Sequence, residues 1–250
     1  MAFCSQKLDQ FTYFSQQMGE RVWRGKNVLD FGGNIGNILR DPNSTIDEER
    51  YWCIDVVKDS IEQGQTQFPK AHWIFYNRYC FFFNPWGSPN LTLPAMSQKF
   101  DYIVAYSVFT NTTRTDMLQL VKDLEGMLAR DGMLAFTFID PFHFSWPRRY
   151  HGDNLQWRLE REVELAGERG EVLRIDQQDL LGRSQKAAWL MLVNSKDLYI
   201  ETEEIGAYEP ERQRTCHVFY TAEYMKTLFP HAAIFPPAND EMQHCCVIRK

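Results

Sequence analysis

The stretch VLDFGGNIG, residues 28–36, decides the fold expected of this chain. Its apolar first half, extended to residues 27–31, predicts a short buried strand. The small residues that follow allow a sharp turn and let a ligand approach the backbone N–H groups. We expect a helix after this loop, whose N-terminus would add partial positive charge. A glycine loop alone is weak evidence, but the next predicted strand ends at Asp55, where a carboxylate can accept hydrogen bonds from both hydroxyls of a ribose.

Strand and helix patterns alternate along the first 140 residues. The alternation favours an α/β fold, a Rossmann-like and mostly parallel sheet with helices on both faces. We expect Asp59 to cap the second helix and Gly132 to stop the third. The predicted strands are 27–31, 51–56, 72–76, 100–106 and 133–139, and the predicted helices are 11–23, 60–67 and 116–130.

The pattern changes after Pro141. A charged helix is predicted at 153–169 and a hairpin at 187–201, and the chain closes with a helix at 221–229 and strands at 233–235 and 243–248. We interpret the chain as a single domain, residues 1–250, with an α+β insertion after strand 5 at roughly 142–215. We expect the insertion to lie over the carboxyl ends of the strands, where ligands bind in open α/β sheets.

Composition narrows the classes of partner. The formal net charge is -6, and no dense Lys/Arg cluster suggests a nucleic-acid surface. No apolar run approaches the ~18 residues of a membrane span, and the N-terminal segment lacks the pattern of a signal peptide. We therefore expect a cytoplasmic monomer or homodimer without membrane or nucleic-acid partners. The six cysteines include no C-x-x-C pair, so we expect no metal site.

Several stretches resemble motifs of the class I S-adenosylmethionine-dependent methyltransferases. Residues 28–36 resemble the first motif, acidic-x-Gly-x-Gly-x-Gly, with Asn34 in place of the middle glycine; asparagine tolerates left-handed backbone angles. Residues 54–56 resemble the second motif and residues 100–110 the fourth-strand motif. The resemblance covers residues 20–140, and residues 220–250 fit the family's usual ending. It implies a seven-stranded sheet whose last strand is antiparallel, S-adenosyl-L-methionine as cofactor and S-adenosyl-L-homocysteine as product.

The resemblance also implies roles for the residues of the first motif. Asp30 would anchor the amino group of the cofactor, directly or through water. Gly32, Asn34 and Gly36 would line the methionine moiety. Gly33 belongs to the same cofactor-binding loop.

Further cofactor contacts are implied beyond the other strands. Asp55 would bind the ribose, and Val56 would pack on the adenine ring. Asn77, just past the third strand, would sit near adenine. Tyr106 and Ser107 would border the sulfur that carries the methyl group.

The acceptor chemistry rests on residues after the fifth strand. His143 and His151 are the candidate general bases, with exposed loop histidines as the alternative. Tyr150 could line the acceptor pocket or simply pack. Many relatives carry histidine where this chain has Asn111, which removes one candidate base.

These observations predict a methyltransferase acting on oxygen or nitrogen of a small-molecule acceptor, in natural-product biosynthesis. A peptide or protein methyltransferase and a non-catalytic cofactor-binding subunit are the alternatives. An NAD-binding dehydrogenase is disfavoured, because Asn34 stands where the second glycine of G-x-G-x-x-G is needed.

Overall fold

A seven-stranded sheet forms the centre of the molecule. The computed structural model describes residues 9–80, 83–140, 172–176, 188–193, 199–205, 215–237 and 243–250. The strands of this sheet are β1 (Val28–Phe31), β2 (Tyr51–Asp55), β3 (His72–Phe75), β4 (Phe100–Ala105), β5 (Leu128–Phe138), β10 (Ala233–Phe235) and β11 (His244–Arg249). The four strands between β5 and β10 in the chain belong to a second sheet and are described below.

The strand order is β10-β11-β5-β4-β1-β2-β3. The strands from β3 to β5 pair in parallel, and β11 lies between β5 and β10, antiparallel to both. The mostly parallel, Rossmann-like sheet of seven strands with an antiparallel last strand is therefore confirmed.

Helices cover both faces of this sheet, as predicted. They are α1 (Gln10–Met18), α2 (Lys58–Gln67), α3 (Arg114–Met127) and α4 (Ala222–Leu228). Because successive strand residues point to opposite faces, β1 divides its apolar side chains. Val28 packs in the core beneath α1 and α2, whereas Leu29 packs in the core beneath α3 and α4.

The first helix is shorter than predicted. It ends at Gly19, whose φ of 74° closes the helix in the left-handed region. Trp23, expected on the helix, lies beyond it as a fully buried side chain. Its indole packs edge-on against Phe11 at 5.1 Å and donates a hydrogen bond to the carbonyl of Glu20 at 2.8 Å. The apolar spacing in residues 11–23 therefore predicted correctly that Trp23 is buried, but not that it lies in a helix.

Two predicted helix boundaries are also wrong. Val57 is the N-cap of α2, and Asp59 lies within its first turn. The third helix ends at Met127 and passes directly into β5, so Gly132 lies inside that strand. A Cβ on Gly132 would stand 2.9 Å from the carbonyl oxygen of Phe100, so this glycine permits close approach of β4.

No helix follows the glycine loop, contrary to prediction. Residues 33–40 form consecutive turns, closed by bonds such as Gly36 N–H to Gly33 O at 2.9 Å and Leu39 N–H to Gly36 O at 3.0 Å. Gly36 has a φ of 81°, which a right-handed helix does not accommodate. The N-terminus of a helix therefore contributes no partial positive charge at this loop.

A four-stranded antiparallel sheet is formed by residues between β5 and α4. Its strands are β6 (Val172–Asp176), β7 (Ala188–Val193), β8 (Tyr199–Ile205) and β9 (Thr215–Tyr220), in that order. The pairing of β7 with β8 confirms the predicted hairpin. The helix predicted at 153–169 lies outside the described residues. The placement of an insertion over the strand ends, within a single domain, stays a prediction.

Among the residues that the structure describes, no helix has the length and apolarity needed to cross a membrane.

Candidate active site

A cavity opens where the parallel strands end. Its walls come from the segments after β1, β2, β3 and β4 and from the first turns of α3, which is the place where open α/β sheets bind ligands. The lining residues are Phe31, Gly32, Asn34, Ile54, Asp55, Val56, Tyr76, Arg78, Tyr79, Cys80, Phe83, Tyr106, Ser107, Val108, Asn111, Thr112, Thr113, Asp116 and Leu120.

The glycine loop bends through left-handed backbone angles at one wall of this cavity. Gly32 has a φ of 79° and Asn34 a φ of 56°. The N–H of Gly32 donates to the carbonyl of Ile54 at 2.7 Å, which ties the loop to β2. A Cβ on Gly32 would lie 2.4 Å from a methyl group of Val108, so only glycine fits between the two segments.

Asp55 fixes the shape of the loop from the end of β2. Its side chain is 6% exposed, and its two oxygens accept hydrogen bonds from the N–H groups of Asn34 at 2.7 Å and Val57 at 2.8 Å. Burial raises the pKa of this carboxyl, and the bonds from Val57 and Asn34 oppose that rise. Each carboxylate oxygen has a second lone pair. Asp55 can therefore hold the loop and still accept hydrogen bonds from a ligand.

Asp30 lies behind the loop and does not line the cavity. It is 1% exposed, and its Oδ2 accepts a 2.7 Å hydrogen bond from the hydroxyl of Tyr51. Burial raises the pKa of Asp30 to about 7; the Tyr51 bond lowers it, and the charge of Asp55 adds to the rise. A direct contact between Asp30 and a ligand in this cavity is thus not present in the described arrangement.

Gly33 and Gly36 are also not among the residues that line the cavity. A Cβ on Gly33 would meet Oδ2 of Asp30 at 2.5 Å, and one on Gly36 would stand 3.0 Å from the indole of Trp73. These two glycines allow the loop to pack on the strands and α2. The resemblance implies a lining role for Gly36, and Gly36 is not among the residues that line this cavity.

Tyr106 and Ser107 border the cavity after β4. Ser107 adopts a φ of 59°, a left-handed conformation that its neighbours enforce. Its N–H donates to Oγ1 of Thr137 at 2.7 Å, and its Oγ accepts from Nε2 of Gln243 at 3.1 Å. The sequence did not single out Thr137 and Gln243, because they come from β5 and the residue before β11, far along the chain.

Asn77 does not line the cavity, although it follows β3. It is exposed, and its Oδ1 accepts from Nδ2 of Asn84 at 3.0 Å. The neighbouring Arg78 does face the cavity and forms a 2.6 Å ion pair with Asp116. No sequence pattern indicated this pair, whose members stand 38 positions apart.

The predicted acceptor residues His143, Tyr150 and His151 lie outside the described residues. Asn111 lines the cavity, and its amide donates to the carbonyl of Ser107 at 3.3 Å. Within the described ranges, no group of three or more His, Cys, Asp or Glu side chains could hold a metal ion.

Part of the chain matches a known protein family. Residues 29–134 match a family model described as "Methyltransferase domain". This range contains β2, β3 and β4, most of β1 and β5, and every residue that lines the cavity. This match covers less than half of the chain and supports a methyltransferase domain at residues 29–134. No curated protein matches its sequence.

Solved methyltransferases share the fold at low identity. The glycopeptide N-methyltransferase MtfA, complexed with S-adenosyl-L-homocysteine, is 8% identical, with 99% of this chain and 91% of that chain covered and a TM-score of 0.52. The CcbJ methyltransferase from Streptomyces caelestis is 8% identical, with 97% and 93% covered and a TM-score of 0.51. These likenesses concern the fold.

The cavity suits S-adenosylmethionine, the cofactor that the resemblance implies. At Gly32 the wall lacks a Cβ, and an added one would collide with Val108. S-adenosylmethionine carries no phosphate. The N-terminus of a helix is a favourable site for a pyrophosphate, but this loop leads into turns instead of a helix. The donors and acceptors present therefore fit a nucleoside without phosphate groups better than a dinucleotide.

Proposed function

We propose that this chain transfers the methyl group of S-adenosylmethionine to oxygen or nitrogen of a small-molecule acceptor, with natural products as the class. One observation carries the proposal. A single cavity brings together the glycine loop, the carboxylate of Asp55 and the backbone turn at Ser107. A ribose, a methionine chain and a reacting methyl group need those three walls at once.

Each wall has a proposed contact with the cofactor. Asp55 accepts hydrogen bonds from the ribose hydroxyls through the lone pairs that Asn34 and Val57 leave open. Gly32 and Asn34 border the methionine moiety. Val56 packs on the adenine ring. Asp30, Gly33 and Gly36 act from behind, by fixing the loop.

Methyl transfer is an in-line displacement, so the protein's main contribution is alignment of the nucleophile, the carbon and the sulfur. The hydrogen bonds that Ser107 donates to Thr137 and accepts from Gln243 hold it in one conformation beside the reacting groups. The ring of Tyr106, packed edge-on against Tyr13 at 5.9 Å, offers an aromatic surface to the cationic methyl group. A base such as His143, His151 or Tyr150 is required only if the acceptor must lose a proton.

The acceptor class is supported by charge. With a formal net charge of -6 and no basic cluster, the chain has no electrostatic footprint for nucleic acid. Aromatic residues make up 14% of the chain, and Phe83, Tyr79 and Tyr106 line the cavity. Such a lining favours compact, partly apolar acceptors.

Calorimetric titration tests the proposal. The wild-type protein should bind S-adenosyl-L-homocysteine and not NAD, and Asp55→Ala should weaken that binding by about tenfold or more, because charge-assisted hydrogen bonds to the ribose are lost. Asp59→Ala, on the exposed first turn of α2, is the control with the same change of charge and should bind as the wild type does. Absence of S-adenosyl-L-homocysteine binding to the wild type, or equal affinity in Asp55→Ala, would overturn the assignment. A screen of acceptors with labelled methyl donor follows a positive result.

A further inference from the structure

Arg78 and Asp116 form a polar wall of the cavity that the proposed contacts leave unused. Arg78 is 13% exposed and Asp116 is 41% exposed. One guanidinium nitrogen donates to the carbonyl of Leu91 at 2.6 Å, and the other donates to Oδ1 of Asp116 at 2.6 Å. The arginine is thereby fixed between the segment after β3 and the first turn of α3.

This wall stands close to the end of β2. The N–H of Tyr76 donates to the carbonyl of Asp55 at 2.8 Å, so the tyrosine begins beside the proposed ribose contact. Its hydroxyl in turn accepts from Arg78 at 3.3 Å. The ion pair therefore lies about one tyrosine side chain away from Asp55, on the β3 side. Val56, the proposed contact of the adenine ring, lines the same cavity as Arg78 and Asp116.

The polar edge of that base needs a partner from the protein. Asn77 is turned outward and bonded to Asn84, so it does not supply one. Asp116 lines the cavity, and among the described residues its Oδ2 makes no hydrogen bond, since only Oδ1 is engaged by Arg78. A carboxylate oxygen accepts hydrogen bonds only. It suits the exocyclic amino group of adenine and repels the 6-oxo group of hypoxanthine.

We propose that Asp116, positioned by Arg78, recognises the exocyclic amino group of the cofactor's adenine. The family resemblance had placed Asn77 near the adenine instead. This inference rests on the proposed function. Arg78 decides the orientation: its donor holds one oxygen of Asp116 and leaves the other to the base. In Asp116→Asn the same donor retains the amide oxygen, so the amide NH₂ takes the position of Oδ2.

The test compares S-adenosylhomocysteine with its 6-oxo analogue, S-inosylhomocysteine, by calorimetry. The wild type should prefer the adenine compound by about tenfold or more, because the carboxylate accepts a hydrogen bond from the amino group but meets a second acceptor in the 6-oxo compound. Asp116→Asn should reverse the preference, since its amide donates to the 6-oxo group. Asp116→Ser, which removes the carboxylate, should bring the ratio of the two affinities toward one.

Asn77→Ala is the matched control and should keep the wild-type ratio. A change of preference cannot come from a loss of structure, which would weaken both ligands alike. A wild-type ratio near one, or the wild-type ratio retained in both Asp116→Asn and Asp116→Ser, would refute the role of Asp116 while leaving the cofactor assignment in place. Failure of the wild type to bind S-adenosylhomocysteine would overturn the cofactor assignment and this inference together.

Discussion

Replacing Asp30 by asparagine should flatten the pH dependence of the free energy of unfolding. In the folded protein, burial raises the pKa of this carboxyl from 3.8 to about 7. The stability that follows from the raised pKa is fully present below pH 3.8 and is lost as the pH rises to about 7. Asparagine does not titrate, and its oxygen can still accept the hydrogen bond from Tyr51.

The magnitude follows from the width of that window. Between pH 5 and pH 7 the folded state holds a proton that the unfolded state has released, which lowers the free energy of unfolding by about 1.4 kcal/mol for each pH unit. Wild type should therefore lose roughly 2.7 kcal/mol relative to Asp30→Asn between pH 5 and pH 8.

Urea denaturation of both proteins at several pH values, followed by circular dichroism, measures this difference directly. Other titrating groups change both proteins equally and cancel in the comparison. Asp59→Asn, at an exposed position of α2, should track the wild type throughout. If the curves for wild type and Asp30→Asn run parallel from pH 5 to pH 8, the buried carboxyl does not titrate as argued.

Two further predictions concern packing and hydrogen bonds. Thr137→Val should lower the free energy of unfolding by about 1–3 kcal/mol in urea titrations, because it leaves the N–H of Ser107 and the amide of Gln243 without their buried partner. Thr137→Ser keeps a hydroxyl and should restore most of that free energy. An equal loss in both variants would contradict this account. Gly64→Ala should lower the free energy of unfolding by about 1–3 kcal/mol, since its Cβ would stand 2.2 Å from the indole of Trp73 in β3. Gly126→Ala has open space within 4 Å and should stabilise α3 by up to about 1 kcal/mol. Calorimetric melting of both variants checks the two signs, and two shifts of the same sign would refute them.

Local patterns predicted the sheet well because each strand is an apolar run bounded by polar or small residues. The same reasoning placed Asp55 at the end of β2, which the structure confirms. It failed where the decisive partner is distant in sequence. Gly132 reads as a helix stop, yet it lies within β5 against the carbonyl of Phe100.

The site shows the same division. The backbone angles of Gly32 and Asn34 follow from residue type. The contacts of Asn77 do not, because a side chain one residue beyond a strand can turn outward, as this one does toward Asn84. The pair of Arg78 and Asp116 depends on where α3 begins relative to β3. Only the folded arrangement brings those two segments together.

The position of β11 constrains how this sheet can be made. Residues 244–249 enter between β5 and β10, so β5 has an open edge until they arrive. During vectorial synthesis at ~5–20 residues per second, the stretch from the end of β5 to β11 takes roughly 5–20 s to emerge. For that time the nascent chain carries an apolar strand with unpaired N–H and C=O groups, a template for aggregation. Expression at low temperature or with a holdase chaperone should therefore raise the soluble yield, since the hazard is kinetic and ends when the last strand is inserted.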